Sequence, residues 1–162
     1  MQYKITAYSE DDTIELAQNI ESEKFPNMVI CLEGDLGSGK TLFTKAFAKA
    51  NGITENITSP TFTIIKEYSG ELNLYHMDVY RLADIKQNIG IEEYFTKKGV
   101  CIIEWSDLIE DILPKNRLDI KIKIVDENTR QFIITPHGSK YEDLCETVLW
   151  EVLKMEMLIL KY

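Results

Sequence analysis

Three glycines within six positions, followed at once by lysine and threonine, interrupt the chain at Gly34-Asp35-Leu36-Gly37-Ser38-Gly39-Lys40-Thr41. The octet has the spacing G-x-x-x-x-G-K-[ST]. Glycines let successive backbone N–H groups turn toward one point with no Cβ in the way, which is what a polyphosphate requires. Before the octet, the apolar run MVICLEG from Met28 to Gly34 reads as a buried strand. After it, Thr41, Leu42, Phe43, Ala46, Phe47 and Ala50 recur at helical spacing, and Asn51-Gly52 marks the stop. In the succession strand, glycine loop, helix, the positive helix N-terminus joins the phosphate site. Lys40 then reaches the β and γ phosphates, and the Thr41 hydroxyl binds Mg²⁺. Asp35, Leu36, Gly37, Ser38, Gly39, Lys40, Thr41 and Leu42 are therefore the candidate nucleotide-binding positions.

A chain of 162 residues is long enough for one domain with its own core, and no linker or repeat divides residues 1–162. Its formal net charge of −9 repels phosphate backbones, so an independent grip on nucleic acid is a poor first reading. Cys31, Cys101 and Cys145 are widely spaced and odd in number, the usage of buried thiols in a reducing compartment rather than of a disulfide or metal set. The first residues lack a signal-peptide pattern, and no apolar run is long enough to span a bilayer. A soluble, cytoplasmic protein is expected.

Elsewhere the pattern alternates between helix and strand. Ser9 and the acids after it predict an N-cap and a helix from about residue 10 to about residue 23. ITENITSPTFT reads as an exposed loop. TFTIIKEY and ELNLYHMDVY read as a hairpin about Ser69-Gly70, with Leu72, Leu74, His76 and Asp78 on one face of its second strand and Tyr75, Met77 and Val79 on the other. A helical stretch from Ile91 to Lys98 precedes the buried strand GVCIIEW. LDIKIKIVD and RQFIIT suggest an antiparallel ribbon at a sheet edge. From about Lys140, the positions Tyr141, Leu144, Val148, Val152, Met155 and Ile159 mark a final helix whose end, MLIL, is unusually apolar.

Nucleotide hydrolysis needs an acid beside the metal, at the carboxyl end of a buried strand. Asp78 and Glu104 qualify, and with Lys40 they are the candidate catalytic residues. Glu104 ends the more uniformly apolar run and is the first choice for holding Mg²⁺ together with Thr41. Asp78 either positions the attacking water or makes a second contact to the metal. Thr58, Ser59, Thr61 and Thr63 form a hydroxyl-rich loop that can sense a γ-phosphate or serve only as a turn. His76 alone reads as a hydrogen-bonded structural histidine, and His137, before Gly138, as a loop residue.

Taken together, GDLGSGKT, SPTFTI, YHMDVYRLAD, GIEEYF and CIIEW, in this order, closely resemble the TsaE (YjeE) family of bacterial P-loop ATPases over roughly Leu32 to Trp105. The resemblance implies an α/β fold like that of P-loop NTPases: a mostly parallel sheet with an antiparallel hairpin and antiparallel edge strands, flanked by helices. It implies ATP and Mg²⁺ as cofactors, with hydrolysis that resets a complex making N6-threonylcarbamoyladenosine beside the anticodon of tRNAs reading ANN codons. TsaD and TsaB are the implied partners, with tRNA met indirectly through them. By position, Lys40 contacts phosphates, Thr41 with Glu104 holds Mg²⁺, and His76, Tyr80 and Arg81 join Asp78 at the partner-facing side of the nucleotide. Trp105 packs close to the site. Ser38 replaces a frequent alanine and Leu42 a frequent threonine. Adenine contacts near Arg130 stay open, because the chain after Trp105 matches only loosely.

A P-loop small-molecule or nucleotide kinase is the main rival, but three unclustered arginines, Arg81, Arg117 and Arg130, are few for clamping two anionic substrates. A GTPase lacks support, since neither N-K-x-D nor a later D-x-x-G occurs. A nucleotide-sensing adaptor overlaps the first reading.

Overall fold

The computed structural model describes residues 1–60, 64–83 and 90–160, and the side chains of these except at 82–83 and 151–160. Thr61 and Thr63 of the hydroxyl-rich loop therefore lie outside the described residues, as do the side chains of Val152, Met155, Ile159 and the MLIL end.

Seven strands form one sheet: β1 (Tyr3–Ala7), β2 (Val29–Gly34), β3 (Ile65–Tyr68), β4 (Leu74–Asp78), β5 (Val100–Glu104), β6 (Arg117–Ile124) and β7 (Arg130–His137), in the order β1-β7-β6-β2-β5-β4-β3. The four central strands β6, β2, β5 and β4 run parallel, and β3 and β7 pair antiparallel with β4 and β6. The expected α/β sheet with its antiparallel hairpin is thus present. The β6–β7 ribbon is not at the edge, however, because β1 adds antiparallel to β7, with Tyr3 opposite Ile134 and Ile5 opposite Phe132. In the isolated sequence YKITA is too short to announce a strand, yet its alternate residues Tyr3, Ile5 and Ala7 are buried under the final helix.

Helices α1 (Glu10–Ser22), α2 (Lys40–Ala50) and α4 (Ser139–Leu160) cover one face. Leu16, Ala17 and Ile20 of α1, Phe43 and Phe47 of α2, and Tyr141, Leu144 and Cys145 of α4 meet Ile30, Leu32, Ile102, Ile120 and Phe132 from the strands in one core cluster. The α1 start is as expected: the Ser9 hydroxyl accepts from the Asp12 N–H at 3.3 Å, and the Tyr8 N–H donates to the Asp12 carboxylate at 2.9 Å. The Tyr141 hydroxyl accepts from the Val29 N–H at 2.8 Å, tying α4 to the start of β2.

The other face is covered by α3 (Ile91–Tyr94) and a 3-10 segment, Ser106–Ile112, which bury Cys31, Tyr75, Met77 and Ile103. The faces of β4 divide as the alternation predicts. The helix expected to reach Lys98 stops at Tyr94. The N–H groups of Phe95, Thr96 and Lys97 reach carbonyls three residues back, and the Thr96 hydroxyl donates to the Glu93 carbonyl at 3.0 Å. These tighter bonds replace the α-helical ones. His137 is not in a loop but ends β7, its Nε2 2.8 Å from Asp119 Oδ2. Among the described residues no helix is long and apolar enough to cross a membrane.

Candidate functional site

The parallel strands β2, β5 and β4 end side by side, and their carboxyl ends carry Gly34, Glu104 and Asp78. The chain leaves β2 at Gly34 and enters α2 at Lys40. Between them Gly37 (φ 82°) and Gly39 (φ 111°) take left-handed conformations that a side chain would strain. Gly39 is the N-cap of α2, and no side chain caps the helix there. The first N–H groups of an eleven-residue helix therefore open on the cavity.

That cavity has a volume of about 690 Å³ and is lined by Asp35 through Thr41 from the loop, Ser59 from the hydroxyl-rich segment, Asp78, Tyr80, Glu104 and Trp105. All but one of the sequence-predicted nucleotide positions meet there. Leu42 lines a smaller groove of about 190 Å³ on the other side of the loop, shared with Ser9, Thr13, Asn128 and Arg130. Thr58 is exposed and accepts a hydrogen bond from Lys66 Nζ. Arg81 is exposed, in the short 3-10 turn Tyr80–Ala83.

Charged groups are concentrated in a nearly dry floor: Lys40, Asp78 and Glu104 are 9%, 8% and 4% exposed. Lys40 Nζ donates to the Gly34 carbonyl at 2.5 Å and lies 4.3 Å from the centroid of the Trp105 ring. Asp78 Oδ1 accepts from the Tyr80 N–H at 3.0 Å, which fixes one of its oxygens. Trp105, at φ 61° and ψ 34°, turns the chain sharply between β5 and the 3-10 segment and stacks obliquely on Tyr80, centroids 5.1 Å apart. Glu33 anchors that turn, its Oε1 accepting from the Ser106 hydroxyl at 2.6 Å and the Asp107 N–H at 3.1 Å. Burial raises the Glu33 carboxyl above the ordinary range, and these two donors partly offset the rise.

His76 is the hydrogen-bonded structural histidine that its residue pattern alone suggests, but not at the place the resemblance implies. It is fully buried rather than partner-facing, with Nε2 3.2 Å from Glu104 Oε2. Arg130 is a second arrangement the sequence did not announce. Its guanidinium donates to the carbonyls of Ser38 (3.1 Å) and Gly37 (3.2 Å), and also to those of Asp126 (2.7 Å) and Thr129 (3.0 Å). It thus pins the outer side of the glycine loop to the β6–β7 turn. The only sequence signal for this was the pairing of the two strands, which places Arg130 opposite Ile124 at the ribbon's end.

The donor set suits a hard cation and a polyphosphate. Thr41 offers a hydroxyl, Glu104 and Asp78 offer carboxylates, and Mg²⁺ is ordinarily held by one or two carboxylates together with substrate phosphates. The uncapped helix end and Lys40 supply the donors that phosphate oxygens accept.

The model of the family described as "Threonylcarbamoyl adenosine biosynthesis protein TsaE" matches residues 7–132. This chain belongs to the TsaE family. It is 49% identical over 146 residues to the tRNA threonylcarbamoyladenosine biosynthesis protein TsaE of Bacillus subtilis, an alignment covering 90% of this chain and 92% of that protein. The protein of the same description from Treponema pallidum is 43% identical over 65% of this chain and 80% of its own length. Among solved structures, the fold matches the crystal structure of Bacillus subtilis YdiB with a TM-score of 0.81 and 43% identity, covering 93% of this chain and 96% of that one. The match to the family model reaches past Trp105, through the β6–β7 turn that holds Arg130.

Proposed function

We propose that this TsaE-family chain is a cytoplasmic, Mg²⁺-dependent ATPase that hydrolyses ATP slowly. In this reading it serves threonylcarbamoylation of the adenosine beside the anticodon in tRNAs reading ANN codons, acting with TsaB and TsaD and meeting tRNA only through them. The observation that carries the reading is the convergence of the glycine loop, Lys40, Thr41, Asp78 and Glu104 on one cavity.

Backbone N–H groups from Gly37 to Thr41 bind phosphate oxygens, and the Lys40 ammonium balances charge on the β and γ phosphates. Thr41 and Glu104 would hold Mg²⁺, which when bound neutralises charge building on the bridging phosphate oxygens. Asp78, with Oδ1 tied to the Tyr80 N–H, offers its other oxygen to the attacking water, accepting its hydrogen bond and orienting it. Trp105 and Tyr80 wall the site and limit access of bulk water. The groove lined by Ser9, Thr13, Leu42, Asn128 and Arg130 adjoins the loop and is the place for the adenine base.

The kinase alternative finds two of the three arginines already committed. Arg130 is committed to loop carbonyls, and Arg117 to Asp119 and the Pro114 carbonyl. Phosphate release by the purified chain, alone and with TsaB plus TsaD, tests the reading: slow turnover alone and marked stimulation by the pair are expected. Absence of stimulation would refute the assembly-dependent ATPase.

A further inference from the structure

His76 sits on β4 two residues before Asp78, on the α2 side of the sheet, where its register partner is Ile102. Its ring is 0% exposed and reaches diagonally across β4–β5 to Glu104, Nε2 to Oε2 at 3.2 Å, with the glutamate itself 4% exposed. A carboxylate can only accept, so the proton of this contact is on Nε2. His76 Nδ1 is buried and has no partner among the described residues.

We infer that His76 is a positioning residue: its Nε2–H holds one oxygen of Glu104 so that the other is presented to the cavity beside Thr41. The inference rests on the proposed role of Glu104 toward Mg²⁺. A glutamate has three rotatable side-chain bonds, and one oxygen fixed from below leaves few orientations for the second. Groups that orient a metal-holding side chain in this way contribute about 10- to 100-fold in metal affinity. The side chain must be a donor of imidazole length on a strand buried on both faces. Shorter donors fall short of Glu104, and apolar residues leave its carboxylate buried with one partner fewer.

The test compares His76→Gln, which keeps an N–H donor at nearly the same reach, with His76→Asn, which keeps polarity but is too short, and His76→Leu, which removes the donor. Binding of a fluorescent ATP analogue to the full-length chain is titrated with Mg²⁺ and repeated in EDTA, with thermal unfolding confirming the fold of each variant. His76→Asn and His76→Leu should raise the half-saturating Mg²⁺ concentration about tenfold or more, while affinity in EDTA stays within about twofold. His76→Gln should restore the Mg²⁺ response to within about threefold of the parent. The inference is overturned if folded His76→Asn shows the parental Mg²⁺ response, or if His76→Gln is as impaired as His76→Asn. Glu104→Gln, measured alongside, separates the two levels: an unchanged Mg²⁺ response there removes the role of Glu104 itself. A changed response there with unaffected His76 variants removes only the role of His76.

Discussion

Asp78 and Glu104 are register partners across the parallel β4–β5 pair, so two buried carboxylates end adjacent strands at the same level. They are held by different partners. The imidazole of His76 takes one oxygen of Glu104, and the Tyr80 N–H takes one oxygen of Asp78. Two acids with separate supports can carry separate tasks, one toward the metal and one toward water.

Their substitutions should therefore fail differently. Glu104→Gln should keep ATP binding in EDTA, lose its Mg²⁺ enhancement and lower turnover by about a hundredfold or more. Asp78→Asn should keep the Mg²⁺ enhancement and lose turnover alone. Nucleotide titration paired with single-turnover phosphate release checks both; identical profiles for the two variants would contradict the division of labour.

Lys40 lines the cavity and touches Trp105. Lys40→Ala removes a charge-assisted contact, which should weaken ATP binding by about 2–3 kcal/mol, roughly a hundredfold. Trp105 emission, read in a Trp150→Phe background, should shift in the same variant as the ammonium leaves the ring face. An unaltered spectrum would show that the two side chains do not share that contact in solution.

Arg130 donates to the carbonyls of Gly37 and Ser38, orienting the loop's peptide planes. Arg130→Ala should loosen the loop and weaken nucleotide binding by about tenfold, roughly 1.4 kcal/mol. Hydrogen exchange at residues 35–39 should quicken in parallel. Weakened binding with unchanged exchange would assign Arg130 to the nucleotide rather than to the loop.

The thiols make a pH-dependent case. Burial pushes Cys31, Cys101 and Cys145 up to about 12, against about 8.5 for a free thiol. The thiolate is the reactive form, so a chromogenic disulfide reagent at pH 8 should find no thiol in the native protein and three after denaturation. Because the folded value lies above the unfolded one, the associated stability is fully present below about pH 8.5 and is lost as pH rises toward about 12. Urea midpoints measured between pH 8 and pH 10.5 should fall. Midpoints that rise over this range would reverse the sign.

Much of this molecule is written locally. The glycine loop, the strand before it and the helix after it depend on neighbours in the chain: backbone freedom at Gly37 and Gly39, a short apolar run, and a 3.6-residue period. The same holds for the Ser9 cap and for the pairing of β6 with β7. The acids at the ends of β4 and β5 were legible because a buried strand announces where it stops. What the sequence left unannounced comes from distant partners. YKITA becomes β1 only because β7 offers an edge and α4 a cover. His76 is separated from Glu104 by 28 residues and Arg130 from Gly37 by 93, so no local period could link them. The sequence by itself determined that a glycine loop joins a buried strand to a helix and which acids end the neighbouring strands. The tertiary structure decided how that loop and those acids are held, because hydrogen bonds in a buried site are set by strand register and packing rather than by proximity along the chain.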